Sequence, residues 1–149
     1  MNFKKILYAT DFSAASESAL QYASSLARDS GAKLLIVHVE EMLAQYGSGD
    51  QVFYSQPQYP NPEIRRMLEA IVPPDKTVKH EHRLVLGTAV NDLVRLADEE
   101  GVDLIVIGTH GRTGLARVLM GSVAEAVMRR AKCPVLTLKQ GAGTAALAK

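Results

Sequence analysis

Gly108 and Gly111, followed after nine further residues by Gly121-Ser122, form the spacing in this chain best suited to chemistry. Glycines let backbone N–H groups come close to an anion, and the unpaired N–H groups at a helix start favour negative charge. The stretch follows a short apolar run, residues 102–107, and precedes a helical pattern from residue 122. An apolar run of that length bounded by glycine predicts a buried parallel strand, and the residues past its carboxyl end face the crevice of an open sheet. The expected ligand group is a nucleotide phosphate.

The elements that must position this loop are legible as an alternating series. Strands are predicted over residues 4–9, 33–39, 77–86, 102–107 and 134–139, and helices over 13–30, 63–72, 89–100 and 122–132. Ala19, Leu20, Ala23, Leu26 and Ala27 give the first helix one apolar face, and Gly31 stands where it should stop. Pro73-Pro74 are expected to stop the second. Residues 40–62 hold glycine, glutamine, tyrosine and prolines without sustained periodicity, which predicts a long surface loop. Residues 141–149 predict a frayed tail after one domain over residues 1–140. Strictly alternating strands and helices predict an α/β fold, an open, doubly wound five-stranded parallel sheet with helices on both faces.

The place of the loop in that order excludes two familiar sites. A dinucleotide fingerprint puts its glycines at the first strand–helix turn, which here reads Ala9-Thr10-Asp11-Phe12-Ser13. A Walker A loop needs lysine after its last glycine, whereas Gly121 is followed by Ser122-Val123. The 17 basic and 16 acidic residues give a net charge of +1, so there is no broad electrostatic footprint for nucleic acid or an anionic membrane. No stretch approaches the roughly 18 apolar residues of a membrane span. The lone Cys133 cannot form an internal disulfide, and a cytoplasmic location is expected.

The loop, written G-x2-G-x9-G-S, resembles the ATP-binding branch of the universal stress protein family. The opening K-K-I-L-Y-A-T-D-F-S, the second strand ending V-H-V and the closing A-K-C-P-V-L are similar to that family as well. Two positions depart from its pattern: Ala9 and Ala89 stand where the family often has proline. The resemblance implies an adenine-nucleotide-hydrolase-like strand order of 3-2-1-4-5. It further implies ATP as ligand, with Asp11 near the ribose and the backbone of Val39 at the adenine edge. Gly108, Gly111, Gly121, Ser122 and Val123 would surround the phosphates, with His110, Arg112 and Arg117 nearby. Thr10, beside Asp11, and Thr109, inside the loop, complete the expected set. A Mg²⁺ or Mn²⁺ bridging the phosphates fits this picture without a dedicated protein metal site. A homodimer through the last strand is also implied, together with a downstream protein partner.

Each residue also has a plain structural reading. Ser122 with Glu125 spells a capping box, so Ser122 could simply cap its helix. Asp11 could be a turn residue. His110 could brace its loop. His80 and His82 share one strand face at metal-ligand spacing, but no third ligand is evident and a solvated edge strand is expected. His38 reads as a core or subunit-contact residue, Arg129, Arg130 and Lys132 as cations at a helix end, and Cys133 as core. Three functions stand side by side. The leading one is a nucleotide-dependent regulatory protein acting in stress response. The others are a slow ATP hydrolase, for which no general base is recognisable, and a homodimeric module that needs no ligand.

Overall fold

A computed structural model describes residues 2–41, 60–109 and 121–139. The expected loop over 40–62 and the tail from 141 lie largely or wholly outside these. The elements alternate: β1 (Lys5–Ala9), α1 (Ala14–Ser30), β2 (Lys33–Glu40), α2 (Pro62–Glu69), β3 (His80–Leu86), α3 (Ala89–Glu99), β4 (Leu104–Gly108), α4 (Ser122–Arg130) and β5 (Val135–Leu138). All strand pairs are parallel, and the sheet order is β3-β2-β1-β4-β5. The expected fold class and strand order are both found.

Period-two alternation sends successive residues of each central strand to opposite helical layers. Ile6 and Tyr8 of β1, Leu34 and Ile36 of β2, and Leu104 and Val106 of β4 pack with Ala19, Ala23 and Ala27 of α1 and Leu68 of α2. Leu7, Leu35, Val37, Ile105 and Ile107 pack with Leu93, Leu96 and Ala97 of α3 and Ala124 and Val127 of α4. Burial on both faces is why these strands are apolar without interruption. The alanines of α1 keep that helix close to the sheet. Its end is set by Gly31, whose φ of 73° is left-handed and whose N–H donates to Arg28, the Schellman-type stop its position predicts.

Most boundaries move by one to three residues, and three of the shifts show their surroundings. β3 begins at His80 rather than 77, because the Asp75 carboxylate accepts from both the N–H and the hydroxyl of Thr77 and holds residues 75–78 in a turn. α2 ends at Glu69, before the prolines: Ile71 N–H donates to Leu68, and the Ile71 carbonyl accepts from His82 Nε2 at 2.6 Å. α4 ends at Arg130, leaving Lys132 outside the helix, where it pairs with Asp98 at 3.0 Å. That His82 bond engages one of its two ring nitrogens, and no group of three metal-ligating side chains occurs among the described residues.

Candidate functional site

A cleft of about 280 Å³ opens at the carboxyl ends of β1, β2 and β4. It lies where the strand order reverses, since the chain builds β2 and β3 on one side of β1 and β4 and β5 on the other. Ala9, Thr10 and Asp11 line it from the end of β1. Val37, His38 and Val39 contribute from β2, and Ile107, Gly108 and Thr109 from β4. Three helix starts complete the wall: Ser13 and Ser16 at α1, Ala89 and Leu93 at α3, and Gly121 to Ala124 at α4.

The first turn is built by side-chain oxygens, both hydroxyl and carboxylate. Thr10 Oγ1 accepts from Phe12 N–H at 3.0 Å, and Asp11 Oδ1 accepts from Ser13 N–H at 2.9 Å. Ser13 is the N-cap of α1, its Oγ accepting from Ser16 N–H at 3.2 Å. Beneath, the Tyr8 hydroxyl donates to the Ser16 carbonyl, and burial pushes its phenol above the usual tyrosine range. The turn reading of Asp11 and its place at the cleft are therefore both true of one side chain.

The three helix starts differ in how their N–H groups are served. At α1 the Ser13 hydroxyl does it. At α3 the Asp92 carboxylate accepts from Thr88 N–H at 2.7 Å, and Glu41 accepts from Ala89 N–H at 2.9 Å. At α4 the N-cap is Gly121, which brings no side chain, and its N–H donates to the Thr109 carbonyl. The capping-box reading of Ser122 is thus corrected. Ser122 is the first residue inside α4 and is exposed, because the chain enters the helix one residue earlier, at Gly121 with φ −66° and ψ 151°. The α4 start, with its positive dipole end, is the one of the three with no N-cap side-chain bond and no carboxylate bound at its first turn among the described residues.

Of the expected set, Thr10, Asp11, Val39, Gly108, Thr109, Gly121, Ser122 and Val123 all line this one cleft. His110, Gly111 and Arg112 lie outside the described residues, as does Arg117. Gly108 has a second reason to be glycine: a Cβ there would stand 2.9 Å from the carbonyl carbon of Ala15. The end of β4 and the start of α1 could not approach so closely otherwise. Sequence reasoning missed His38, which belongs to the cleft wall rather than the core, and the contribution of α3. The V-H-V end of β2 carried a signal for the former, since alternating residues at a strand's carboxyl end border the crevice. Cys133 is half-buried rather than core, and burial raises its thiol.

An open, doubly wound parallel sheet with a crevice at its switch point defines the α/β class, in which ligands bind outside the carboxyl ends of the strands. The model of the universal stress protein family matches residues 2–139, and the chain belongs to that family. Universal stress protein MJ0531 of Methanocaldococcus jannaschii is 33% identical over 146 residues, covering 93% of this chain and 83% of that protein. The solved structure of MJ0577 from the same organism superposes with a TM-score of 0.76 at 28% identity, covering 93% of this chain and 97% of that one. A solved universal stress protein in complex with cAMP superposes with a TM-score of 0.69 at 31% identity, covering 95% of this chain and all of that one (100%).

Proposed function

We propose that this protein binds an adenine nucleotide, ATP in the first place, in the cleft between β1 and β4, and acts as a nucleotide-dependent regulator. The observation that carries the reading is the α4 start: Gly121-Ser122, which no side chain caps among the described residues, opens into a crevice whose other two helix starts are already served by the protein's own oxygens. An anion is a fitting partner for such a start. A relative of like fold holding cAMP supports the adenine class.

In this reading the phosphates sit against Gly121, Ser122 and Val123. Asp11 faces the ribose hydroxyls as an acceptor, and Val37, Val39 and Leu93 supply the apolar wall for the base. Among the described residues, the cleft lining offers one carboxylate, Asp11, with the hydroxyl residues Thr10, Ser13, Ser16, Thr109 and Ser122. That set suits a hard divalent ion held chiefly by the nucleotide, so Mg²⁺ or Mn²⁺ would come with ATP and neutralise its charge. The cytoplasm is the compartment proposed.

Ser122→Ala tests the phosphate contact. Because Ser122 is exposed and does not cap its helix, the thermal midpoint should stay unchanged, corresponding to less than about 0.5 kcal/mol. Affinity for ATP should fall about tenfold, the effect of losing one hydrogen bond to a charged group. A variant that binds ATP as tightly as the wild type places the phosphates elsewhere.

A further inference from the structure

His38 has no task in the nucleotide reading as given, yet its ring touches the turn after β1 twice. Nδ1 lies 2.7 Å from the Thr10 carbonyl oxygen. A carbonyl only accepts, so Nδ1 carries the hydrogen and donates it. The ring also packs on Phe12, centroid to centroid 4.5 Å at an interplanar angle of 40°. Phe12 has a φ of 65°, the one positive value at a non-glycine residue among those described. Side-chain-bearing residues hold that left-handed conformation only where the surroundings impose it, and such strain collects at ligand sites.

Most of what imposes it is local. Thr10 Oγ1 takes the Phe12 N–H and Asp11 Oδ1 takes the Ser13 N–H. His38 reaches in from a different strand, as does the Val37 carbonyl that accepts the Thr10 N–H at 2.9 Å, and the His38 ring grips both the residue before Asp11 and the residue after it. Thr10, Asp11 and Ser13 all face the cleft. A shift of this turn would therefore move the acceptor proposed for the ribose.

We propose that His38 is a positioning residue, which holds the turn of residues 10–13 in the shape that receives the nucleoside part of the ligand. The assignment rests on the nucleotide reading above. It concerns the base and ribose end of the cleft, remote in role from the α4 start. Removing the donor should weaken ATP and adenosine alike, because both present the same nucleoside to the turn.

The test compares His38→Leu, which fills the space without a donor, with His38→Asn, whose Nδ2 branches from Cγ as Nδ1 does and can serve the same carbonyl. Affinities for ATP and adenosine are measured by calorimetry, at a temperature where near-ultraviolet circular dichroism shows each variant folded. His38→Leu should lose about tenfold for both ligands, while His38→Asn stays within about threefold of the wild type. A folded His38→Leu variant with wild-type affinity overturns the assignment. So does a loss seen for ATP alone, or an asparagine variant as weak as the leucine one. Should His38→Leu not fold, imidazole ¹⁵N shifts of the wild type decide: Nδ1-protonated His38, with and without ATP, is expected, and the Nε2-protonated tautomer refutes the contact. A wild type that binds neither ligand refutes the nucleotide reading itself, an outcome distinct from a binding wild type with an unaffected variant.

Discussion

Gly108 serves packing as well as ligand approach. At the end of β4 the backbone of α1 leaves no room for a methyl group: the carbonyl carbon, the carbonyl oxygen of Ala15 and the amide of Ser16 all lie within 2.9 to 3.1 Å of where a Cβ would stand. These are backbone atoms and cannot swing away. Gly108→Ala should therefore destabilise the fold by about 1–3 kcal/mol, read from denaturant unfolding. An alanine variant as stable as the wild type would show that α1 yields at this point. The sequence makes Gly108 legible as part of a spaced motif, but not this second reason, because the close approach depends on a helix almost a hundred residues earlier. Ser122 carries the same lesson in reverse. The letters S-x-x-E predict a cap, yet Gly121 takes that place, since the helix start is fixed by where the chain returns to Thr109.

Charged side chains at the amino end of the sheet join elements that the hydrophobic pattern alone does not order. Glu81 on β3 pairs with Lys33 on β2 and with Arg83, while Glu100 after α3 pairs with Lys5 on β1 and Arg83, each of the latter two at 3.1 Å. The Lys33 ammonium, and then Arg83, hold the Glu81 carboxyl below its usual range, and Lys5 does the same for Glu100. A carboxyl lowered by folding contributes stability in full above its unfolded value, about 4.3 for Glu, and loses it as pH falls through the lower folded value. The thermal midpoint should accordingly drop as pH falls below about 4.3, and Glu81→Gln should drop less steeply over the same range. Parallel slopes would remove Glu81 from this account.

At the opposite edge of the sheet, Pro134 and Leu138 give their carbonyls to Ile105 of β4 and to Thr109 just after it, so by strict alternation Val135 and Thr137 turn their backbone groups outward. If a second copy pairs there, Thr137→Pro removes an outward N–H without touching the β4 ladder. Light scattering should then find a monomer where the wild type is a dimer. An unchanged dimer would put the interface elsewhere. Element existence and order were legible throughout, because burial on both faces makes parallel strands read as apolar runs. Element ends were less so: a local turn in which Asp75 holds Thr77 trims β3, and the Ile71 carbonyl just past α2 is taken by His82 of β3, a partner outside the helix's own segment.

For the whole molecule, the order β3-β2-β1-β4-β5 matters more than any one residue, because it opens a crevice between β1 and β4 and brings three helix starts to it. That is why residues as distant in sequence as Thr10, Val39 and Ser122 share a wall. The membership of the chain in the universal stress protein family agrees with this architecture over residues 2–139. How much of the site could be read beforehand follows from the same geometry. Motif residues at strand ends announce themselves, and the V-H-V end of β2 hints at His38, whereas the start of α3 enters the wall only once the sheet is assembled. The central claim is that this crevice holds an adenine nucleotide, and calorimetric titration of the purified protein with ATP in the presence of Mg²⁺ tests it most directly. Saturable binding of one nucleotide per chain is predicted; no saturable binding up to about 1 mM, where even a bound state is worth only about 4 kcal/mol, would contradict it.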